Sequence, residues 1–169
     1  MKRFTLLTVL IFSSINIVFS QGYTSYLTGS SDDAATSTEF GICLMGGGGE
    51  DDIAMTRFLE ASGGGDIIVL RASGSDGYND YMYYDLGVDL NSVETLVVYS
   101  DDGANNSYVV QQVSNAEAIW IAGGNQYDYV YFWKDTDLEN ALNAHVSSGK
   151  PIGGTSAGMA IMGGYYYSA

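Results

Sequence analysis

Five short, largely apolar runs, each ending in or beside glycine or serine, constrain this chain more than anything else in it. They are "GICLMG" (41–46), "DIIVLRA" (66–72), "VETLVVYS" (93–100), "EAIWIAGG" (117–124) and "PIGG" (151–154). None shows the strict polar alternation of a half-exposed strand. Strands apolar on both faces need cover on both sides, which is the condition of a parallel sheet held between helices. The intervening segments have helical period. Ala54, Met55, Phe58 and Leu59 share one face of "DIAMTRFLEAS", and "NNSYVVQQVSNA" reads as a helix capped by asparagine. Thr136 and Glu139 form a T-x-x-E capping box ahead of the stripe Leu138, Ala141, Leu142, His145 and Val146; Gly149 then closes the helix and Pro151 follows. The alternation predicts an α/β fold, a doubly wound, mostly parallel sheet with helices on both faces. Ligands of such folds bind beyond the carboxyl ends of the strands. Gly46–Gly49, Gly123–Gly124 and Gly153–Gly154 all fall at such ends, so one rim of the sheet is expected to carry all three.

The chain before the first run divides in two. Lys2 and Arg3, the uncharged apolar stretch Phe4 to Phe19 and a small residue at Ser20 read as a secretory signal peptide over 1–20. Its apolar stretch is short for a membrane span of about 20 residues and contains Ser13, Ser14 and Asn16, so no stable anchor is expected after cleavage. A secreted or periplasmic protein follows. Residues 21–40, rich in Ser, Thr, Gly and Asp, are expected to be a flexible lead-in, and 41–169 the α/β domain. Loss of Lys2 and Arg3 takes the formal charge from −14 to −16 and leaves Arg57, Arg71, Lys134 and Lys150 as the basic residues. Nucleic acid, which needs a basic footprint, is excluded as a partner. Such charge favours cationic ligands or simply keeps an exported protein soluble. Cys43 is the single cysteine and His145 the single histidine, which removes an intrachain disulfide and argues against zinc. The acidic pairs Asp51/Asp52 and Asp101/Asp102 read as solvated turns, and no metal or cofactor is expected.

"GTSAG" (154–158) fits G-x-S-x-G, in which a serine sits on a sharp strand-to-helix turn. Side chains at −2 and +2 would collide across that turn, hence Gly154 and Gly158. The following helix aims free N–H groups at a reacting oxygen. The competing interpretation is a small-residue packing site between helix and sheet. "GGNQ" (123–126) ends the neighbouring strand, and an N–H there, paired with that of Ala157, suits an oxyanion hole. "MGGGGEDD" (45–52) is not a phosphate loop: it lacks the lysine, and Glu50, Asp51 and Asp52 would repel phosphate. His145, on an apolar stripe, reads as a packing histidine rather than a base. The tyrosine cluster "YNDYMYYD" (78–85) reads as packing between helix and sheet.

Taken together, "MGGGGEDD", "RASGSDGYNDY", "IAGGNQ" and "PIGGTSAGM", in this order, resemble the cyanophycinase and aspartyl dipeptidase family of serine peptidases. That family has the class I glutamine amidotransferase-like fold, a flavodoxin-like three-layer sandwich. The resemblance runs from about Gly41 to Ala169, with "GGNQ" and "GGTSAG" as its most specific parts. It implies that Ser156 is the nucleophile, that Gly124, Asn125 and Ala157 surround the oxyanion, and that Gln126 and Thr155 meet substrate. It also implies an aspartyl or β-aspartyl peptide as substrate. In the family the catalytic histidine and its acidic partner follow the serine, whereas nothing after Gly158 is His, Asp or Glu. The expectation is therefore a domain incomplete at its C-terminus, the front part of a longer peptidase. The rival readings are a catalytically inactive binding member of the same fold and an esterase of the α/β-hydrolase type. The oligomeric state is left open.

Overall fold

The computed structural model describes residues 21–167, so the expected signal peptide lies outside the described residues. Six strands form one sheet: β1 Tyr23–Gly29, β2 Ile42–Met45, β3 Asp66–Arg71, β4 Ser92–Val98, β5 Ala118–Ile121 and β6 Ile152–Thr155, in the order β1-β4-β3-β5-β6-β2. All neighbours are parallel except β1 with β4. The helices are α1 Asp52–Glu60, α2 Asp101–Ala104, α3 Ser107–Asn115, α4 Gln126–Trp133, α5 Asp137–Ser147 and α6 Ala157–Ile161, with a π-helical turn at Tyr81–Asp85. None of them is long and apolar enough to cross a membrane.

The two-sided apolar runs do what their composition requires. Along β3, Ile68 and Leu70 enter one core layer with Val109 and Val113 of α3, Tyr129 and Trp133 of α4, and Leu138 of α5. Ile67 and Val69 enter the other, with Met55, Phe58 and Leu59 of α1, Met82 of the π turn and Trp120. Every residue of β4 is buried. The central strands are thus covered on both faces, as the sequence predicts. The edge strand β2 departs from that expectation and leaves Ile42 and Leu44 more than half exposed, because no further strand pairs beside it and no helix covers that face among the described residues. From β3 the chain moves outward to β4 and then returns past β3 to β5, and the crevice at such a reversal is where open α/β sheets bind ligands.

The lead-in is not loose throughout. Tyr23–Gly29, within the stretch expected to be flexible, pair residue for residue with the whole of β4. Tyr and Thr are strong strand formers, and an edge strand needs few apolar residues; a composition dominated by Ser, Thr and Gly hid both facts. Beyond it, Ala34 N–H donates to Asp66 at 2.8 Å and Glu39 N–H to Ala61 O at 2.8 Å, which ties the segment to the domain. Helix α4 is a further difference, since the tyrosine-rich stretch after "GGNQ" carries little apolar contrast between its faces.

Candidate active site

Strands β2, β6 and β5 lie side by side and parallel, so their carboxyl ends bring the loops at Gly46, Ser156 and Gly123 to one rim. Ser156 is the junction between β6 and α6. Its backbone stands at φ 51, ψ −117, a region that a non-glycine residue occupies only under constraint. The constraint is visible: Ser156 N–H donates to Met45 O at 3.1 Å, while Ser156 O accepts from Ala160 N–H at 3.0 Å. The flanking glycines are required by contact. A Cβ on Gly154 would lie 2.9 Å from the carbonyl carbon of Gly158, and one on Gly158 only 2.1 Å from Ile121 O. The turn is therefore an elbow drawn hard against β5, and its serine is exposed at the top.

The Ser156 side chain sits between two glycines contributed by the neighbouring strands. A Cβ on Gly47 would lie 3.7 Å from Ser156 Oγ, and one on Gly123 would lie 3.4 Å from Ser156 Cβ. Both loops, lacking side chains there, leave space beside the hydroxyl. The "MGGGGEDD" segment, which is no phosphate loop, has this use: it forms one wall. Its position is held by Thr155, whose buried hydroxyl donates to Gly46 O at 2.8 Å. Thr155, expected to meet substrate, is turned instead into the fold as a strut.

On the other side, Gly124 and Asn125 are exposed. Asn125 caps α4, its side-chain oxygen accepting from Tyr127 N–H at 3.2 Å. Among the described residues, no backbone or side-chain acceptor engages the N–H of Gly124, Asn125 or Ala157. The free N–H of Ala157 follows Ser156 directly, and those of Gly124 and Asn125 belong to the loop whose Gly123 lies beside it; N–H groups of this kind suit a developing oxyanion. Gln126, half-buried, donates from Nε2 to Tyr167 O at 2.8 Å. Tyr129 is the residue that sequence reasoning missed. Its hydroxyl lies 2.8 Å from Ala122 O and 2.9 Å from Gly123 O, and burial pushes its pKa up to about 12. A phenol that stays protonated near neutrality is a hydrogen-bond donor to these two carbonyls. The signal was available only as a tyrosine five residues after a strand-ending Gly-Gly, which is too generic to read.

At the edge of the rim, Arg71 folds back on its own loop, donating from Nε to Ser73 O at 2.5 Å and from Nη1 to Ser75 O at 2.7 Å. The tyrosine cluster packs as expected: Tyr78, Tyr81 and Tyr83 line the α1-side core, and Tyr78 donates to Glu50, pinning the end of the glycine wall. His145 is remote. Its buried ring has Nε2 2.9 Å from Pro151 O, at the start of β6. Pro151 and Ser156 are separated by five residues of extended chain, roughly 16 Å. Among the described residues, no cluster of His, Cys, Asp or Glu is suited to hold a metal ion.

The family model described as Peptidase family S51 matches residues 73–168. Curated cyanophycinases of Synechococcus elongatus and of Thermosynechococcus vestitus are each 29% identical over 133 residues, 73% of this chain and 41% of theirs. The chain therefore spans about two-fifths of the length of these relatives. Among solved structures, the crystal structure of a peptidase from an acI-B1 Actinobacterium resembles it in fold, with a TM-score of 0.62 at 18% identity over 75% of this chain and 58% of the other.

Proposed function

The chain belongs to Peptidase family S51, and from that premise we propose that it is an exported serine-type peptidase that hydrolyses aspartyl or β-aspartyl peptide bonds with Ser156 as nucleophile. The observation that carries the reading is the elbow: an exposed serine at φ 51, between the Gly47 and Gly123 loops and directly before the free N–H of Ala157. In this mechanism Ser156 Oγ attacks the scissile carbonyl as its proton passes to a base. The carbonyl oxygen, now negative, is held by the N–H of Ala157 and that of Gly124 or Asn125. Collapse expels the amine, which takes the proton from the base, and water then releases the acyl group by the same steps in reverse order of roles. Gln126, beside the hole, is proposed to orient the substrate.

His145 does not fit as base, because it sits at the opposite end of β6 with its ring turned to Pro151. The base is proposed to be a histidine of the full-length protein other than His145, oriented by an acidic partner. Export rests on the charge and apolar pattern of residues 1–20. Aspartyl specificity comes from the resemblance and from the curated cyanophycinases. Membership of a peptidase family displaces the esterase reading.

The test is Ser156→Ala in the full-length protein, assayed on aspartyl and β-aspartyl dipeptides. Turnover should fall by on the order of 10⁶, with substrate binding and Tm nearly unchanged because Ser156 is exposed and little packing is lost with its hydroxyl. Retention of more than a small fraction of wild-type turnover would reduce "GTSAG" to a packing turn.

A further inference from the structure

We propose that Tyr129 is a positioning residue of the oxyanion hole, acting through the peptide that joins Gly123 to Gly124; this rests on Ser156 being the nucleophile. In a trans peptide the C=O and the N–H point in opposite directions. The Gly123 carbonyl is 2.9 Å from the Tyr129 hydroxyl, which is drawn inward, toward α4. The N–H of Gly124 belongs to the same plane and so points the other way, outward from Tyr129. Without that hydroxyl, two successive glycines place almost no restriction on this peptide, since glycine occupies both signs of φ with equal ease. The N–H would then sample orientations rather than hold one.

The hydroxyl is itself held firmly. Tyr129 is 1% exposed, and its ring stacks on Trp133 with centroids 4.5 Å apart and planes at 16°. Trp133 is anchored in turn by Nε1, which donates to Val98 O at 3.0 Å at the end of β4. Helix α4 thus starts one residue after Gly124, at its cap Asn125, and reaches back within its first turn to clamp the peptide just before that cap. The fit leaves no slack: a Cβ on Gly124 would lie 2.7 Å from the Tyr129 oxygen. Tyr129 touches neither the serine nor a substrate, so its effect has to appear in the stabilisation of the negative oxygen and nowhere else.

The experiment uses the full-length protein and an aspartyl p-nitroanilide, with Tyr129→Phe as the main variant and Ser156→Ala in parallel. Losing an oxyanion donor outright costs about 10²–10³ in kcat; freeing one to move should cost part of that, on the order of 10–100-fold. KM should not change. Affinity for acetyl-aspartyl aldehyde, whose hemiacetal with the serine is a tetrahedral mimic that places its oxygen in the hole, should weaken along with kcat/KM. Gly124→Ala, which keeps the phenol but forces it off the Gly123 carbonyl, should show the same pattern. A hydroxyl that merely supports the fold would lower Tm while kcat and aldehyde affinity stayed at wild-type values well below the melting range; that result overturns the proposal. So does wild-type kcat in Gly124→Ala. Turnover surviving in Ser156→Ala instead removes the nucleophile assignment and this inference with it, whereas an inactive Ser156→Ala beside a fully active Tyr129→Phe removes only the inference.

Discussion

At the scale of single residues, the neighbours that make each position possible are decided by backbone contacts. Ser156 tolerates a positive φ because Met45 O and the first turn of α6 hold its peptide groups from both sides. The sequence shows the need for small residues at 154 and 158, and that need is legible from the turn itself. What it does not show is which partner imposes it, because Ile121 comes from another strand. His145 is a case where burial sets the chemistry. Its ring is 4% exposed, Nε2–H faces Pro151 O, and Nδ1 has no hydrogen-bond partner. Burial, the largest cause, pushes its pKa below the ordinary 6.5; the hydrogen bond to Pro151 O pulls it back up in part, and the Lys150 charge adds a smaller downward push. A histidine of lowered pKa binds fewer protons folded than unfolded, so stability rises with pH through the interval below 6.5 and is lost as pH falls across it. His145→Gln, which keeps a donor for Pro151 O without titrating, should abolish that part of the slope. The check is urea unfolding of both proteins between about pH 7.5 and pH 5.5. Parallel pH profiles would mean that His145 does not titrate in this range.

At the scale of elements, the sequence is most informative where a cap or a two-sided apolar run marks the boundary. Helix α5 begins and ends where Thr136 and Gly149 predict, although the box is shifted: Glu139 accepts from Asp135 N–H at 2.6 Å rather than from the cap residue. Its stripe holds for Leu138, Ala141 and His145, while Val146 is 41% exposed. The elements that escaped reading did so for physical reasons. Strand β1, mostly Tyr, Thr and Ser, takes its preference from the strand it pairs with. Helix α4, with Tyr127, Tyr129, Val130, Tyr131, Phe132 and Trp133 on all sides, offers no single apolar face to read. The π turn at Tyr81–Asp85 depends on Asn79, a buried amide that donates to Tyr26 O and Val93 O and accepts from Thr95. No local pattern announces such a long-range lock. For α5 the expectation is quantitative. Thr136 both caps the helix and donates to Trp133 O at 2.5 Å, so Thr136→Ala should cost about 1–2 kcal/mol. Thr136→Ser should restore most of it. Calorimetric melting of the two variants checks this; an unchanged Tm in the alanine variant would show the cap to be idle.

At the scale of the whole molecule, chemistry and bulk are separated along the strands. The parallel order of β2, β6 and β5 collects the glycine loops and Ser156 at one rim. A cavity of about 280 Å³, lined among others by Asp32, Asp33, Asp66 and Glu94, opens near the amino ends of β3 and β4, away from that rim. There Glu94 is held by Ser25 and Tyr108, and burial raises its pKa. The rim was legible from the sequence because strand direction follows from the alternation of strands and helices. The contribution of each rim residue was only half legible, since Thr155 turned out to be a strut and Tyr129 went unnoticed. The central claim, that Ser156 is the reacting group, is tested most directly by covalent capture. The full-length protein should be incubated with an aspartyl phosphonate ester and digested, and the modified peptide sequenced by mass spectrometry. The account predicts a single adduct on Ser156, formed in step with loss of turnover and absent from Ser156→Ala. Inactivation with the adduct on another residue, or on none while Ser156 stays unmodified, would contradict it.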